Sequence, residues 1–324
     1  MSAPLLEVEN LQVLFRGETG TSVGVSDVSF VLREGVNLAL IGESGSGKSV
    51  TALSCMGLLG RNAGISRGRV LFRGEDITGA PESRMRDIRG RLVSMIFQEP
   101  MTSLNPVLSI GFQIGESLRL HTCMGGAQIR QRCRELLEQV GIAGGEKILR
   151  SYPHELSGGM RQRAMIAMAL ACGPRLLIAD EPTTALDVTI QAQILSLLRK
   201  LQEETGITIL VITHDFGVVA EMAGDVVVMY AGLAMESGKV EEIFAHPLHP
   251  YTEALLKSII PLDAPENTPL YFIPGFVSPI SLEQKGCAFH ARCPYAAGRC
   301  RGGQPALREK QPGHFVRCFL EAGA

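Results

Sequence analysis

One short segment has residue types and spacing suited to binding phosphate. Residues 42–49 read Gly-Glu-Ser-Gly-Ser-Gly-Lys-Ser, the pattern G-x-x-x-x-G-K-[S/T], and they lie between the apolar run Val36–Ile41 and the apolar-periodic segment Val50–Leu59. A glycine-rich loop between a strand and a helix turns backbone N–H groups toward phosphate oxygens. We expect Lys48 to neutralise the β- and γ-phosphates of a nucleotide and the Ser49 hydroxyl to bind Mg²⁺. The predicted nucleotide-binding residues here are Gly42, Glu43, Ser44, Gly45, Ser46, Gly47, Lys48, Ser49 and Val50.

Two acids at the end of a second apolar run complete a hydrolytic pattern. The run Leu176–Ala179 leads directly into Asp180 and Glu181. Acids at the carboxyl end of a buried parallel strand lie where open α/β sheets bind ligands. Alone, this pattern is more often a solvated strand end. Together with the glycine-rich loop it predicts that Asp180 holds Mg²⁺ through water and that Glu181 is the general base.

The elements that must position these residues alternate between strand and helix. Val36–Ile41, Leu176–Ala179, Ile207–Thr213 and Asp225–Tyr230 read as buried strands, and Thr189–Glu204 has the apolar period of a helix. This alternation predicts an α/β fold around a parallel sheet. We predict an ATPase core in residues 1–99 and 172–245, a helical subdomain in 100–171, and a loop-rich C-terminal extension in 246–324.

Composition excludes several other classes of protein. Hydrophobic residues make up 45% of the chain and its net charge is −2, which argues against global disorder and against a general affinity for nucleic acid. No apolar run reaches the roughly 20 residues that a membrane-spanning helix needs. The first residues, MSAPLLEVEN, do not form a secretion signal, so we expect a cytosolic setting.

The segment Leu156–Arg163 adds a resemblance to a known family. Its sequence, Leu-Ser-Gly-Gly-Met-Arg-Gln-Arg, resembles the signature motif of ATP-binding cassette (ABC) proteins. A plain interpretation of Ser157 is a helix N-cap. The resemblance implies a P-loop cassette with a RecA-like parallel-sheet core and N-terminal antiparallel strands. It also implies that Ser157, Gly158 and Gly159 contact the ATP held by a second cassette.

Four further positions match motifs of that family. Gln98 resembles the Q-loop glutamine, Asp187 the D-loop aspartate at the subunit interface, and His214 the switch histidine that contacts the γ-phosphate. Phe15 resembles the aromatic residue that stacks on adenine, although its strand parity with buried-type neighbours fits a core position nearly as well. The resemblance therefore implies Glu181, His214 and Gln98 as catalytic residues.

Longer motifs narrow the resemblance to one branch of the family. Residues 97–106 (FQEPMTSLNP), 181–191 (EPTTALDVTIQ) and 249–252 (HPYT) are similar to the ATPase subunits of dipeptide/oligopeptide importers. That branch implies ATP hydrolysis that drives two separate membrane permeases, a second ATPase subunit that is often a related but different chain, and an extracytoplasmic solute-binding protein. It places the chain on the cytoplasmic face of the bacterial inner membrane, with no nucleic-acid partner. Alternatives are a non-transport ABC ATPase in DNA repair or translation, and a redox sensor with a metal-cluster tail.

Four cysteines near the end of the chain form a candidate metal site. Cys287, Cys293, Cys300 and Cys318 share a proline-rich stretch, since ten of the 17 prolines follow Ala245. Reduced cysteines, disulfides and a four-thiolate metal site all remain open from the spacing, and the metal could be Zn²⁺ or an iron–sulfur cluster. The family resemblance favours a [4Fe-4S] cluster. We interpret the remaining cysteines as packing residues in helical pattern: Cys55, Cys123, Cys133 and Cys172.

Overall fold

The structure is a computed structural model with strands and helices throughout its described length. It describes residues 3–18, 20–99, 103–184, 186–259, 265, 269, 271–277 and 284–320. The strands in these ranges are β1 (Pro4–Gly17), β2 (Gly20–Arg33), β3 (Leu38–Ile41), β4 (Ala63–Phe72), β5 (Glu75–Asp76), β6 (Val93–Ile96), β7 (Leu176–Asp180), β8 (Thr208–Thr213), β9 (Asp225–Tyr230), β10 (Leu233–Lys239), β11 (Arg308–Gln311) and β12 (His314–Val316).

Helices lie between many of these strands. They are α1 (Lys48–Cys55), α2 (Glu82–Ile88), α3 (Ile110–His121), α4 (Gly126–Gln139), α5 (Gly145–Arg150), α6 (Gly158–Leu170), α7 (Val188–Thr205), α8 (Phe216–Met222), α9 (Val240–Ala245), α10 (Pro250–Lys257) and α11 (Gly298–Gly302), with a 3₁₀ turn at Pro153–Glu155. The chain divides into two compact units. One is built mainly from Gly79–Ile212, and the other from Pro4–Leu32, Val36–Thr78 and the chain after Ile212.

The unit built from Gly79–Ile212 contains a parallel sheet and most of the long helices. β7 pairs in parallel with β6 on one side and with β8 on the other. Every residue of β6 and β7 is buried, as expected for strands covered on both faces. The described residues between β6 and β7 form α3 to α6 and no strand, which agrees with the predicted helical stretch. The prediction of three domains with boundaries at 99, 171 and 245 stays a prediction.

The other unit contains a mixed sheet in the order β5-β4-β1-β2-β10-β9-β3. β1 and β4 pair antiparallel, as predicted for the N-terminal strands, whereas β3 and β9 pair in parallel. The C-terminal extension is more regular than its composition suggests, because β11 and β12 form a hairpin whose second strand pairs antiparallel with β10. This hairpin attaches the end of the described chain to the central sheet.

An aromatic cluster forms the part of this unit's core that lies beside the extension. Tyr230 ends β9, Tyr251 lies in α10 and Phe289 belongs to the cysteine-bearing segment, and each is at most 1% exposed. The ring of Phe289 lies 5.3 Å from each tyrosine ring, in edge or tilted geometry. Aromatic pairs of this kind contribute roughly 0.5–1.5 kcal/mol beyond their buried area. The cysteine segment is therefore packed into the core of this unit.

Candidate functional site

The glycine-rich loop runs from the end of β3 into the first turn of α1, as the sequence predicts. Gly42 has φ +156°, and a Cβ there would lie 2.1 Å from the carbonyl oxygen of Met229. Gly47, which precedes α1, has φ +98°, and its Cβ would lie 2.8 Å from the carbonyl oxygen of Gly24. The loop conformation therefore requires glycine at both positions, for backbone angle and for space.

Lys48 lies inside the loop it belongs to. Its Nζ donates to the carbonyl oxygens of Gly42, at 2.7 Å, and Glu43, at 3.1 Å, and to Ser46 Oγ at 3.3 Å. The residue is 5% exposed, so its ammonium is held at the centre of the turn rather than in bulk water. Ser49 and Val50 follow in the first turn of α1, and both are partly buried. This arrangement places an ammonium group and the start of a helix on one loop, which suits a phosphate chain.

Glu43 is fixed by residues that the sequence did not point to. Its backbone N–H donates to the Tyr251 hydroxyl oxygen at 2.9 Å. Its two carboxylate oxygens accept from Nη1 and Nη2 of Arg292, at 2.7 and 3.0 Å. Burial raises the pKa of Tyr251 far above its usual value, so its hydroxyl stays protonated. The HPYT motif and the cysteine segment thus meet at the phosphate loop, separated from it by more than two hundred residues of sequence.

Two other predicted residues of this unit lie after β8 and on β1. His214 is exposed and directly follows Thr213, the last residue of β8. Phe15 is only partly buried, while Leu11 and Val13 on the same strand face are fully buried. Its ring covers Gly24, where a Cβ would lie 2.3 Å from Phe15 Cε2. The Phe15 ring is therefore held in place on one side, and its stacking on adenine stays a prediction.

In the unit built from Gly79–Ile212, the two predicted acids lie at the end of β7. Asp180 ends the strand and is 5% exposed, and Glu181 follows with φ +45°, a left-handed conformation that is uncommon for a glutamate. Glu181 Oε2 accepts hydrogen bonds of 2.8 Å from both Gln98 Nε2 and Thr184 Oγ1. The strained backbone and the two donors fix the direction of this carboxylate. Sequence reasoning did not identify Thr184, because a threonine three residues on gives no signal of its own.

The signature segment forms a helix N-terminus, as its plain interpretation predicts. Ser157 caps α6, and its Oγ accepts from the N–H of Met160 at 3.3 Å. Ser157 and Gly158 are exposed, so the start of α6 is accessible to solvent. Asp187 caps α7 in the same way, with Oδ1 accepting from the N–H of Ile190 at 2.9 Å. Both predicted trans contacts therefore lie at the starts of helices.

The first turns of α6 and α7 contact each other, and α6 also contacts the turn at Glu181. A Cβ on Gly159 would lie 3.1 Å from the Ile190 side chain, so α6 and α7 approach closely at their first turns. Gln162, which is 2% exposed, donates from Nε2 to the carbonyl oxygen of Pro182 at 2.7 Å. The signature helix is thus hydrogen-bonded to the residue that follows Glu181. Gln162 carried no signal in the sequence that would have marked it for this contact.

Comparison with known proteins identifies the family. The ABC transporter family description matches residues 25–184, and that of the oligopeptide/dipeptide transporter C-terminal region matches residues 235–300. The oligopeptide transport ATP-binding protein AppD of Bacillus subtilis (strain 168) is 51% identical over 323 residues, covering 99% of this chain and 98% of AppD. A peptide import ATP-binding protein of Brucella abortus (strain 2308) is 51% identical over 327 residues, covering 98% and 97%. The chain belongs to the ABC transporter ATPase family.

A solved structure confirms the predicted fold class of this ABC ATPase. The ATP-binding cassette MJ0796, solved as a dimer in a post-hydrolysis state with ADP and Pi, has a TM-score of 0.65 and 27% identity. The match covers 73% of this chain and 99% of that one. The protein is an ATP-hydrolysing enzyme, as the loop and the acids predicted. In the described part of the chain, no helix is both long and apolar enough to cross a membrane.

The four C-terminal cysteines of this ABC ATPase interact with one another. Burial raises the pKa of the Cys287 thiol to about 11, and the thiols of Cys293, Cys300 and Cys318 add to that effect. Burial also raises the pKa values of Cys293 and Cys318. Among the described residues, however, no three His, Cys, Asp or Glu side chains are arranged to hold a metal ion. The thiols as they stand therefore do not fit a tetrahedral zinc site, which needs each sulfur about 2.3 Å from one centre.

The interpretation of the other cysteines as packing residues in helical pattern needs correction. Cys55 and Cys133 lie in helices and are 3% and 1% exposed, as interpreted. Cys123 is exposed and lies in the connection between α3 and α4, so its assignment as a packing residue was wrong. Cys172 is partly buried in the turn that follows α6. The helical period of α3 ends at His121, before it reaches Cys123.

Proposed function

We propose that this chain is the ATP-hydrolysing subunit of an importer that takes up di- and oligopeptides or similar small solutes. The observation that carries the proposal is the match of residues 235–300 to the oligopeptide/dipeptide transporter C-terminal region, joined to a cassette that is 51% identical to AppD over 99% of this chain. The solute would pass through two separate permease subunits, to which the chain binds at the cytoplasmic face of the bacterial inner membrane. An extracytoplasmic solute-binding protein would deliver it.

ATP binding in this proposal rests on the loop at residues 42–50. Its backbone N–H groups and Lys48 hold the phosphates, Ser49 and Asp180 position the metal ion, and Phe15 stacks on adenine. Mg²⁺, when bound, neutralises charge on the phosphates during transfer. The position of Lys48 supports this role, because its hydrogen bonds to Gly42, Glu43 and Ser46 hold the ammonium within the glycine-rich loop.

Hydrolysis is assigned to residues at the ends of strands. Glu181 takes a proton from the attacking water, Gln98 orients the Glu181 carboxylate and the water, and His214 contacts the γ-phosphate. The hydrogen bonds of 2.8 Å from Gln98 and Thr184 to Glu181 support its role, because both donors stabilise the ionised carboxylate that a base must be.

A second ATPase subunit completes the proposal. Ser157, Gly158, Gly159 and Asp187 would contact the nucleotide held by the partner, which we expect to be a related but different chain. The exposure of Ser157 and Gly158 supports this assignment, because the start of α6 is accessible from outside the chain. Closure of the pair on ATP and its opening after hydrolysis would switch the permeases between two states.

The importer proposal is tested in proteoliposomes that contain the chain with its permeases, partner ATPase and solute-binding protein. We expect ATP-dependent uptake of radiolabelled di- and oligopeptides, and its loss, together with ATP binding by the chain, in Lys48→Ala. Arg199→Ala, an exposed change on α7, is the matched control for loss of a cation. ATP hydrolysis without uptake of any peptide would contradict the substrate class, and uptake that survives Lys48→Ala would contradict the role of the chain.

For the extension, we propose that Cys287, Cys293, Cys300 and Cys318 bind a [4Fe-4S] cluster, with Zn²⁺ as the competing outcome. A cluster spreads its ligands over separate iron atoms, so it accepts more widely spaced thiols than a single ion does. The mutual electrostatic interaction of the four thiols supports a shared occupant, because it places all four sulfurs in one cluster. Anaerobic purification followed by iron, sulfide and zinc analysis tests it. Iron and sulfide that are lost in Cys300→Ser and kept in Cys55→Ser support the cluster, and zinc or no metal contradicts it.

A further inference from the structure

The charged side chain of Arg292, in the C-terminal extension, contacts the phosphate-binding loop. Arg292 follows Phe289 of the aromatic cluster by three residues, and its side chain is 6% exposed. Its guanidinium forms a bidentate ion pair with the carboxylate of Glu43, the second residue of the loop. An arginine–carboxylate pair of this geometry fixes both position and orientation.

Every nitrogen of the Arg292 guanidinium has a hydrogen-bond acceptor, so the side chain is held in one position. Nε donates to the carbonyl oxygen of Pro274 at 2.9 Å. Nη1 donates to Glu43 and, at 3.4 Å, to the Tyr230 hydroxyl, and Nη2 donates to Glu43 and, at 3.1 Å, to the carbonyl oxygen of Ile273. A lysine has three donors and no planar fork, so it cannot reproduce this set.

Arg292 neutralises a negative charge that Glu43 places in the phosphate-binding loop. The loop that holds the phosphates of ATP contains a carboxylate as its second residue, and a carboxylate repels a polyanion at short range. The Arg292 pair neutralises that charge, while Tyr251 accepts the backbone N–H of the same residue. Lys48 holds the Glu43 carbonyl oxygen from the other side. Glu43 is thus restrained at its N–H, its carbonyl and its carboxylate.

We propose that Arg292 is a positioning residue for ATP binding, which holds the Glu43 carboxylate in place and neutralises it so that the loop accepts the nucleotide phosphates. This inference rests on the proposed binding of ATP at residues 42–50. Through this contact, which lies within one unit of the chain, the extension directly affects the affinity for ATP. Tyr251 of the HPYT motif has the supporting role of fixing the Glu43 backbone.

The chain offers a matched control for this proposal. Arg317 is also 6% exposed in the extension and also pairs with a carboxylate of the central sheet, Asp27, at 2.8 Å. It further donates to the carbonyl oxygens of Ala234 and Pro305. Arg317 therefore attaches the extension to the sheet without touching the phosphate loop, and its loss reports the purely structural effect of removing such an arginine.

The test measures ATP binding by the full-length chain and the ATPase kinetics of the complete complex for Arg292→Met, Arg317→Met, and Arg292→Met combined with Glu43→Gln. For Arg292→Met we expect the Kd and the KM for ATP to rise about tenfold, with kcat changed less than about twofold. The added Glu43→Gln should restore most of the affinity, because it removes the unpaired carboxylate. Arg317→Met should leave the Kd for ATP unchanged.

Several results would overturn the proposal. Equal effects of Arg292→Met and Arg317→Met on the Kd, or no rescue by Glu43→Gln, would make Arg292 a structural residue only. If Arg292→Met does not fold, Arg292→Lys replaces it, with an expected increase of about threefold in the Kd that Glu43→Gln reverses; no increase overturns the proposal. Failure of the wild-type chain to bind ATP would instead contradict the proposed function, so the two failures are distinguishable.

Discussion

The amide of Gln98 donates a hydrogen bond of 2.8 Å to the carboxylate of Glu181. Gln98 follows β6 and Glu181 follows β7, and the two strands are parallel neighbours. Their carboxyl ends therefore bring together two residues that lie 83 positions apart. The contact joins the residue expected to sense the nucleotide to the residue expected to activate water.

The charge at position 98 should control the protonation of Glu181. In Gln98→Glu, two carboxylates would compete at hydrogen-bond distance, which raises the pKa of the pair. We expect the acid limb of the pH profile of kcat to move up by about one unit. Gln98→Leu removes one hydrogen bond to the ionised carboxylate but adds no charge, so its profile should move up by less than that of Gln98→Glu. Equal profiles for the two variants would contradict this account.

Thr184 should contribute to turnover through the same carboxylate. Thr184→Val removes the second 2.8 Å hydrogen bond to Glu181 and keeps the side-chain shape. We expect kcat to fall roughly tenfold with the Kd for ATP unchanged, since the bond orients the base and does not touch the loop. Thr189→Val, an exposed change on α7, is the control. A normal kcat in Thr184→Val would show that Gln98 alone orients Glu181.

The phosphate loop should tolerate alanine at Gly45 better than at Gly42. A Cβ at Gly45 meets nothing within 4 Å, so Gly45→Ala adds only the backbone cost of a positive φ, about 1 kcal/mol. Gly42→Ala drives a methyl group to 2.1 Å from the carbonyl oxygen of Met229. We expect ATP binding to be lost in Gly42→Ala and weakened less than about tenfold in Gly45→Ala, measured by equilibrium binding. Similar affinities for both would contradict the described loop conformation.

His249 should make the fold sensitive to acid. Burial lowers its pKa from 6.5 to about 3, so the unfolded chain binds a proton near pH 6 that the folded chain does not. Above about pH 6.5, His249 therefore does not lower the free energy of unfolding. As the pH falls from 6.5 toward 3, the free energy of unfolding decreases, by roughly 2 kcal/mol at pH 5. His249→Asn keeps a side-chain acceptor for the Tyr251 N–H and removes the titration. Between pH 7.5 and pH 5, the free energy of unfolding should decrease less for His249→Asn than for the wild type. Identical decreases would contradict the prediction.

Local patterns were enough to predict the core elements. Leu176–Asp180 is buried throughout, so its continuous apolar run identified β7, and the apolar stripe of Val188–Thr205 identified α7. The loop glycines and the acids after β7 were found because phosphate chemistry demands those residue types at that spacing. Motif resemblance supplied Gln98, whose isolated position gives no physical signal.

Contacts between distant segments were not predictable. The pairing of Arg292 with Glu43 spans 249 residues, and neither residue is unusual in its own neighbourhood. The β11–β12 hairpin was missed because its strands are only four and three residues long, and their order comes from pairing with each other and, for β12, with β10. The strained φ of Glu181 is likewise imposed by its surroundings, and no sequence pattern marks it.

The central claim is that this chain hydrolyses ATP with Glu181 as the base. The most direct test compares ATP turnover by the complete complex with ATP binding by the full-length chain for wild type and Glu181→Gln. We expect Glu181→Gln to bind ATP with the affinity of the wild type and to lose turnover by about a thousandfold, since the amide keeps the hydrogen-bonding shape and cannot accept a proton. Undiminished turnover in Glu181→Gln would contradict the claim.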